Sequence, residues 1–254
     1  IISETQKARA EFEFTTTYRD THYLWNVTDK NTLVHIQSEF QAMEKIYIAD
    51  GHHRSASSFL LYQDEKEANK NHCGDENYNF FMAYSIPESD LRIHEFQRVV
   101  KGLNGLSKEE FLIELDTVYR IENRGINPYQ PSKKHHFSMY LDGEFYSLYL
   151  RKSSYEINSS LDALDAQILY KTILKPILGI EDPRNDSRID YINGKKDTVS
   201  LKGSIDSGNF TVGFGMVPVD ISEMKQIADD GLKMPPKSTY IEPKLRSGVT
   251  IYEF

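Results

Sequence analysis

The sequence predicts a mixed α/β fold of the α+β type, and three observations support this prediction. Apolar residues recur at helical spacing over 31–43. A short apolar run at 46–49 predicts a strand, which leads through a turn into a helix that reaches about residue 68. Residues 134–151 alternate apolar and polar side chains around Asp142-Gly143, a pair typical of a type I′ hairpin turn. Helical and extended segments therefore alternate along one chain.

The other elements follow from local patterns of the same kind. The first are two strands in 11–27 around a turn near Asp20, strands in 78–86 and 91–100, and a helix after the capping box of Ser107 and Glu110. They are followed by an amphipathic helix over 161–174 stopped by Pro176 and a strand over 210–217. The last are a helix over 221–230 ended by Gly231 and two strands in 237–254 around Ser247-Gly248. No repeat or low-complexity segment separates them. We expect one compact unit in which a part formed by 106–254 packs on a part formed by 1–105.

Length, charge and cysteine content limit the classes of function. The 254 residues are 39% apolar and 27% charged, which is typical of a soluble globular protein. The net charge of −8 argues against DNA as a partner, because nucleic-acid affinity comes largely from Lys and Arg. A single cysteine, Cys73, excludes an intrachain disulfide framework and fits a cytoplasmic protein. The apolar runs are far shorter than the roughly 18 residues that a membrane span needs.

The segment IYIADGHHRSASSFLL (46–61) places several anion-binding devices at the turn between the predicted strand and helix. Gly51 permits tight backbone geometry or the close approach of a ligand. The helix that follows presents unpaired N–H groups and the positive end of its dipole. Arg54 adds a cation that can hold a phosphate with two donors, and Ser55 lies in the same turn. Gly51, Arg54 and Ser55 are therefore candidate phosphate ligands.

Three further side chains at this turn are candidates for catalysis. Asp50 could bind Mg²⁺ or accept a proton, and His52 and His53 can donate, accept or titrate near neutral pH. Adjacent histidines point in different directions, so we do not expect both to bind one metal ion. The residues alone leave another interpretation open, in which Asp50 caps the helix, Gly51 makes the turn and the remaining side chains lie on the surface.

Four signatures carry a resemblance that covers nearly the whole chain. They are YIADGHHR (47–54), YNFFMAYS (78–85), DPRNDSRIDYI (182–192) and MPPKSTYIEPKLRSG (234–248). In this order they resemble an uncharacterised bacterial family called Domain of Unknown Function ten-fifteen. Proteins of that family are longer and have an additional N-terminal region, which fits a sequence that starts at Ile1 rather than at methionine.

The strand–turn–helix element is in turn similar to the ParB/sulfiredoxin-like superfamily, whose members hold nucleotide phosphates at this turn. Sulfiredoxins have a catalytic cysteine where this chain has His52, which argues against that activity. ParB proteins, which bind CTP and DNA, have a glutamate-arginine pair in place of His52-His53. Free-serine kinases have an Asp-Gly-x-His-Arg pattern, which Asp50, Gly51, His53 and Arg54 match. The resemblance implies a ParB/sulfiredoxin-like core in 1–105, with an additional mixed sheet and helices.

Two residues outside the turn are further candidates for phosphate or nucleotide binding. Arg98, in HEFQRVV, resembles the arginine of a His-Arg pair in the family, although Gln97 replaces the histidine. Lys237 belongs to the MPPKSTY signature, which lacks the glycine of a P-loop and has two prolines that remove backbone donors. Arg184, in DPRNDSR, either contributes to binding or makes loop salt bridges.

The function that these observations predict is nucleotide-dependent phosphoryl transfer to a small hydroxyl substrate such as free serine. ATP or ADP and Mg²⁺ are the expected cofactors, with Asp50 as the candidate metal ligand. The alternative is a ParB-like module that binds a nucleotide or DNA without turning over a small molecule.

Overall fold

The computed structural model describes residues 1–17, 19–193 and 198–253, and it confirms a mixed α+β fold. The chain divides into two compact units, Ile1–Ile48 and a second unit that begins at Ala49. The helices are α1 (Ile2–Thr5), α2 (Lys30–Gln41), α3 (His52–Ala68), α4 (Lys108–Asp116), α5 (Asp165–Leu169), α6 (Thr198–Asp206) and α7 (Ile221–Asp229). The strands are β1 (Phe12–Thr15), β2 (Thr21–Leu24), β3 (Arg92–His94), β4 (Phe96–Val100), β5 (Tyr119–Gly125), β6 (His136–Leu141), β7 (Glu144–Leu150), β8 (Ile189–Asn193), β9 (Val212–Gly215) and β10 (Tyr240–Glu242).

The first unit consists of the β1–β2 hairpin and the helices α1 and α2. The strands pair antiparallel, with Phe12 opposite Leu24 and Thr15 opposite Thr21, which confirms the predicted pair. Asp29 caps α2 because its carboxylate accepts a hydrogen bond of 2.8 Å from the backbone N–H of Thr32.

The second unit is built on a six-stranded antiparallel sheet with the order β5-β7-β6-β9-β4-β8. Its centre is the predicted β6–β7 hairpin, in which Asp142 and Gly143 both have positive φ, as a type I′ turn requires. The predicted capping box is present at the start of α4, where Ser107 and Glu110 exchange side-chain and backbone hydrogen bonds. Both short-range predictions are confirmed.

Each face of this sheet has its own apolar core. Side chains that alternate along β6, such as Phe137 and Met139, are fully buried against α4 and α5. On the opposite face, Tyr140 packs with Leu201 and Ile205 of α6. Helices on both faces therefore bury the central strands, and each large side chain that is fully buried stabilises the fold by about 1.5–3 kcal/mol.

A short second ladder extends from the edge of the unit. Strand β10 pairs antiparallel with β3, placing Tyr240 opposite His94 and Glu242 opposite Arg92. Because β3 precedes β4 directly, this ladder holds the segment 234–248 beside the end of the large sheet. The signatures at 182–192 and 234–248 thus each have part of their length in or beside β3, β4 or β8.

Several predicted elements differ in the structure. Residues 46–49 and 80–86 lie in no strand, because a strand is stabilised by a partner and the described residues form no ladder with these runs. Only the first strand of the predicted pair in 237–254 forms, as β10. The predicted helix over 161–174 begins as α5 at Asp165 and continues as a π-helical turn, Tyr170–Leu174. Tyr18, in the predicted first hairpin, and Phe254, in the predicted last strand, lie outside the described residues.

Candidate functional site

Helix α3 begins at the predicted turn and leaves its first N–H groups without a side-chain cap. Gly51 occupies the N-cap position with φ +85°, a left-handed conformation that glycine adopts without steric cost. The backbone N–H of Ser55 donates to the Gly51 carbonyl at 2.9 Å, which closes the first helical turn. No acidic residue lies in that turn. The N–H groups that precede that of Ser55, together with the positive terminus of the helix, can therefore attract an anion.

The guanidinium of Arg54 folds back against the turn. A Cβ placed on Gly51 would lie 2.8 Å from Nη2 of Arg54 and 3.1 Å from its Nε. The absence of a side chain at residue 51 is thus what lets this cation approach the helix terminus. Arg54 remains exposed, as a group that meets a soluble ligand must.

Asp50, on the other side of the turn, is paired with a lysine from the C-terminal signature. Its Oδ2 accepts a hydrogen bond of 2.8 Å from Nζ of Lys244, and both side chains are about half exposed. That hydrogen bond is the largest cause that lowers the pKa of Asp50, and the charge of Arg54 contributes. Two cations and one carboxylate leave the turn with a net positive charge, which suits a phosphate.

The other predicted residues of the motif stand at the same helix end. His52 and His53 are the first two residues of α3 and are exposed, and Ser55 is half-buried. The arrangement brings together Asp50, Gly51, His52, His53, Arg54 and Ser55, because they are consecutive.

A divalent metal ion finds few protein ligands at this turn. Asp50 is the acid of the motif, and its carboxylate is engaged by Lys244. Among the described residues, no three His, Cys, Asp or Glu side chains are arranged to hold a metal ion. The residues fit Mg²⁺ only as an ion that takes most of its ligands from phosphate oxygens and water, with Asp50 as one contact.

Arg98 lies in a different environment, on β4, which pairs with β8 on one side and β9 on the other. Its side chain is 3% exposed. The guanidinium donates to the backbone carbonyl of Phe96, to Sδ of Met216 at 3.4 Å and to the Lys237 carbonyl at 3.2 Å. It also lies 5.7 Å from the ring centre of Tyr191. Burial lowers the pKa of Arg98 to about 10, which reflects the cost of keeping a charge away from water.

A cleft of about 280 Å³ opens beside Arg98, and we call it the Arg98 cleft. The π-helical turn after α5 supplies Tyr170 and Leu174, the DPR signature supplies residues 182–184, and the MPP signature supplies residues 234–236. Two signatures that are about fifty residues apart in sequence therefore meet around one buried arginine.

Lys237 contributes to this region mainly through its backbone. It has φ +51°, and its carbonyl accepts from Arg98, whereas its Nζ lies 5.6 Å from the ring centre of Phe96. The Phe96 ring is 6.0 Å from that of Tyr240, whose centre is 5.2 Å from Nζ of Lys244. A row of aromatic and cationic side chains thus runs from the Arg98 cleft to Lys244 at the turn.

The remaining charged residues of the DPRNDSR signature stabilise its loop. The carboxylate of Asp186 lies 2.7 Å from the guanidinium of Arg188, which also donates to the carbonyls of Leu178 and Gly179. Asp182 accepts from the backbone N–H of Arg184 and from the side chain of Asn185. Arg184 itself lines the Arg98 cleft.

Lys244, at the turn, and Lys233, which lines the Arg98 cleft, are the functional candidates that the sequence did not identify. Lys244 is 194 residues away from Asp50, so no local spacing indicates their contact. The available signal was that Lys244 belongs to the same signature as Lys237.

The fold and its turn define a class, a mixed α+β protein with an exposed helix terminus that no side chain caps. The chain belongs to the family described as Protein of unknown function (DUF1015), whose model matches residues 1–167. The signatures at 182–192 and 234–248 lie beyond the matched residues. The sequence matches no curated protein. No described helix is both long enough and apolar enough to cross a membrane.

Solved structures resemble the chain at low sequence identity. A free serine kinase variant in complex with AMP is 12% identical with a TM-score of 0.41, over 85% of this chain and 81% of that chain. A free serine kinase variant in complex with ADP is also 12% identical with a TM-score of 0.41, over 85% of this chain and 82% of that chain. A conserved hypothetical protein from Pyrococcus furiosus is 10% identical with a TM-score of 0.39, over 79% and 72% of the two chains. At this level of similarity, the chemistry of the site follows only from the residues of this chain.

Proposed function

We propose that the protein is a nucleotide-dependent phosphotransferase that acts on a small hydroxyl substrate such as free serine. The observation that carries the proposal is the turn at Asp50–Arg54, where Gly51, Arg54 and Lys244 surround an uncapped helix terminus. Asp50, Gly51, His53 and Arg54 also match the Asp-Gly-x-His-Arg pattern of free-serine kinases.

In this proposal the turn binds the phosphates of ATP or ADP. The free N–H groups of α3 and the guanidinium of Arg54 hold phosphate oxygens, and Lys244 adds a second cation next to Asp50. Such an array also stabilises the charge that develops on a phosphoryl group during transfer.

The proposed reaction forms one bond and breaks one. The oxygen of the substrate hydroxyl bonds to the terminal phosphorus of the nucleotide, whose bond to the bridging oxygen breaks, so that ATP leaves as ADP or ADP as AMP. The hydroxyl proton passes to a protein base. We assign that role to His53, because histidine side chains accept protons near neutral pH, whereas Lys244 lowers the pKa of Asp50. Asp50 then positions Lys244 and offers one ligand to Mg²⁺.

A DNA-binding role is less well supported by the same surface. The net charge is −8, and one of the two cations at the turn is already paired with Asp50. Binding driven by phosphate contacts would require more unpaired cations. A fluorescence-anisotropy titration with duplex DNA at low salt distinguishes the two functions, and we expect no saturation.

The test is direct detection of the product. The full-length protein is incubated with serine, Mg²⁺ and either ATP or ADP, and phosphoserine is measured by mass spectrometry. We expect phosphoserine with one of the nucleotides and none with Arg54→Ala. The matched control is Arg92→Ala, which removes an exposed arginine from β3 and should keep full activity. If phosphoserine formed with neither ATP nor ADP, the serine version of the proposal would be refuted.

A further inference from the structure

The Arg98 cleft holds three cations that form no salt bridge in the part of the chain that the structure describes, although the charges of Glu95 and Asp182 act on Arg98 and Arg184. No carboxylate oxygen lies within 4 Å of the side-chain nitrogens of Arg98, Arg184 or Lys233 in residues 1–17, 19–193 and 198–253. The two acids at the rim are already engaged. Glu181 pairs with Lys175 at 2.9 Å, and the Asp182 carboxylate is occupied by its own loop. Asp182 and Glu95 offset part of the positive charge of Arg98, Arg184 and Lys233, and the net charge of the cleft remains positive.

Arg98 is the deepest of these cations and keeps donors in reserve. A guanidinium has five N–H donors, and three of those of Arg98 have acceptors in the described residues: the Phe96 carbonyl, Met216 Sδ and the Lys237 carbonyl. Its Nε–H and one Nη2–H have none there. The charge of Glu95 acts on Arg98, but no carboxylate contacts the guanidinium directly. A buried cation without such a contact is costly, and an anionic ligand in the cleft would reduce that cost and accept hydrogen bonds from the two remaining donors.

The walls of the cleft are mostly apolar. They include Leu161, Ala166 and Leu174 on one side and Met234 and Pro235 on the other. The two prolines of the MPP turn are held by a hydrogen bond of 2.8 Å from the Ser238 hydroxyl to the Pro235 carbonyl. One wall is a π-helical turn, a feature that is frequent at functional sites. The volume of about 280 Å³ is enough for a small ring but not for a whole nucleotide.

We propose that the Arg98 cleft is a second ligand site, which binds a small organic anion through its carboxylate or phosphate at Arg98, with its apolar body against the cleft walls. The site goes beyond the proposed phosphate turn, since Arg54 and Lys244 are not among its lining residues. Arg184 and Lys233, both at the rim, assist the approach of the anion.

The test is isothermal titration of the full-length protein with four probes: benzoate, phenyl phosphate, acetate and the neutral benzamide. We expect saturable binding of benzoate or phenyl phosphate, with the tighter of the two identifying the preferred anion. Acetate should bind more weakly because it lacks the apolar body, and benzamide should not bind. No saturation with either aromatic anion, or equal binding of benzamide, would overturn the proposal.

Substitutions in the Arg98 cleft test whether the anion binds there. Arg98→Met should weaken the preferred anion at least about tenfold, because two charge-assisted hydrogen bonds are lost. If Arg98→Met does not fold, the double variant Arg184→Gln and Lys233→Gln decides, with an expected loss of roughly threefold to tenfold. Undiminished affinity in the folded variant that is used would overturn the proposal.

A further pair of variants separates this site from the phosphate turn. Arg54→Ala and the control Arg92→Ala should both leave the affinity for the aromatic anion unchanged. Loss of that affinity in Arg54→Ala would place the anion at the turn and overturn the second site. The inference therefore stands or fails independently of phosphoserine formation.

Discussion

Gly51 provides the most specific test of the phosphate turn. Its φ of +85° lies in the left-handed region, so Gly51→Ala should cost about 1–2 kcal/mol of folding free energy. The added Cβ would lie 2.8 Å from Nη2 of Arg54, so the guanidinium must move away from the helix terminus. We expect the midpoint of thermal unfolding to fall by roughly 2–8 °C. We also expect the affinity for ADP, measured by isothermal titration, to fall about tenfold or more.

Gly143 offers the matched control for this substitution. It has φ +81°, and a Cβ placed there would meet no atom within 4 Å. Gly143→Ala should therefore cause a similar loss of stability, with no change in ADP affinity. If Gly51→Ala bound ADP as tightly as the unaltered protein, the approach of Arg54 to the turn would have no part in phosphate binding.

Three further predictions test the electrostatics and the core. Lys244→Met should raise the pKa of Asp50 towards its ordinary value, since the Lys244 hydrogen bond is the largest cause of its depression; a carboxyl NMR titration measures this, and an unchanged pKa contradicts it. Burial raises the pKa of Asp165 to about 6, so the folded state binds that proton more tightly than the unfolded chain and stability falls as pH rises from about 4 to about 6. Asp165→Asn should remove most of this pH dependence, which amounts to about 2 kcal/mol of unfolding free energy between about pH 4 and about pH 6. Urea unfolding at both pH values measures the difference, and an unchanged difference would contradict the prediction. Phe137→Ala should cost about 3–5 kcal/mol, whereas Phe81→Ala, at a side chain that is 56% exposed, should cost less than about 1 kcal/mol; equal losses in denaturant unfolding would contradict the assigned core.

Elements with strong local signals were predictable from the sequence. The capping box of Ser107 and Glu110 fixes the start of α4, because both hydrogen bonds form within one turn. Asp142-Gly143 fixes the β6–β7 hairpin, because two consecutive residues must adopt positive φ. In these cases the information lies within a few residues.

Elements that depend on distant partners were not predictable in the same way. Residues 78–86 have the composition of a strand, but the described part of the chain forms no ladder there, and Phe80, Phe81 and Tyr84 are more than half exposed. Helix α6 was missed because Gly203 lowers its intrinsic helix propensity. Its formation depends on Leu201 and Ile205, which pack against the sheet.

The same distinction holds for the candidate site. Asp50, Gly51 and Arg54 could be identified together because they are consecutive around one helix start. The contact of Asp50 with Lys244, and the burial of Arg98 beside residues 182–184 and 234–236, depend on the assembled sheet. The sequence makes Arg98 a candidate for the same phosphate or nucleotide as the turn, whereas its side chain lies in a separate cleft.

The most direct test of the central claim is isothermal titration of ADP and ATP into the full-length protein, its Arg54→Ala variant and the control Arg92→Ala. Since Arg54 contributes charge-assisted hydrogen bonds to a phosphate at an uncapped helix terminus, its loss should weaken binding at least about tenfold. Arg92→Ala, an exposed arginine lost from β3, should bind like the unaltered protein. Equal affinity of Arg54→Ala and the unaltered protein for both nucleotides would contradict a phosphate site at the turn.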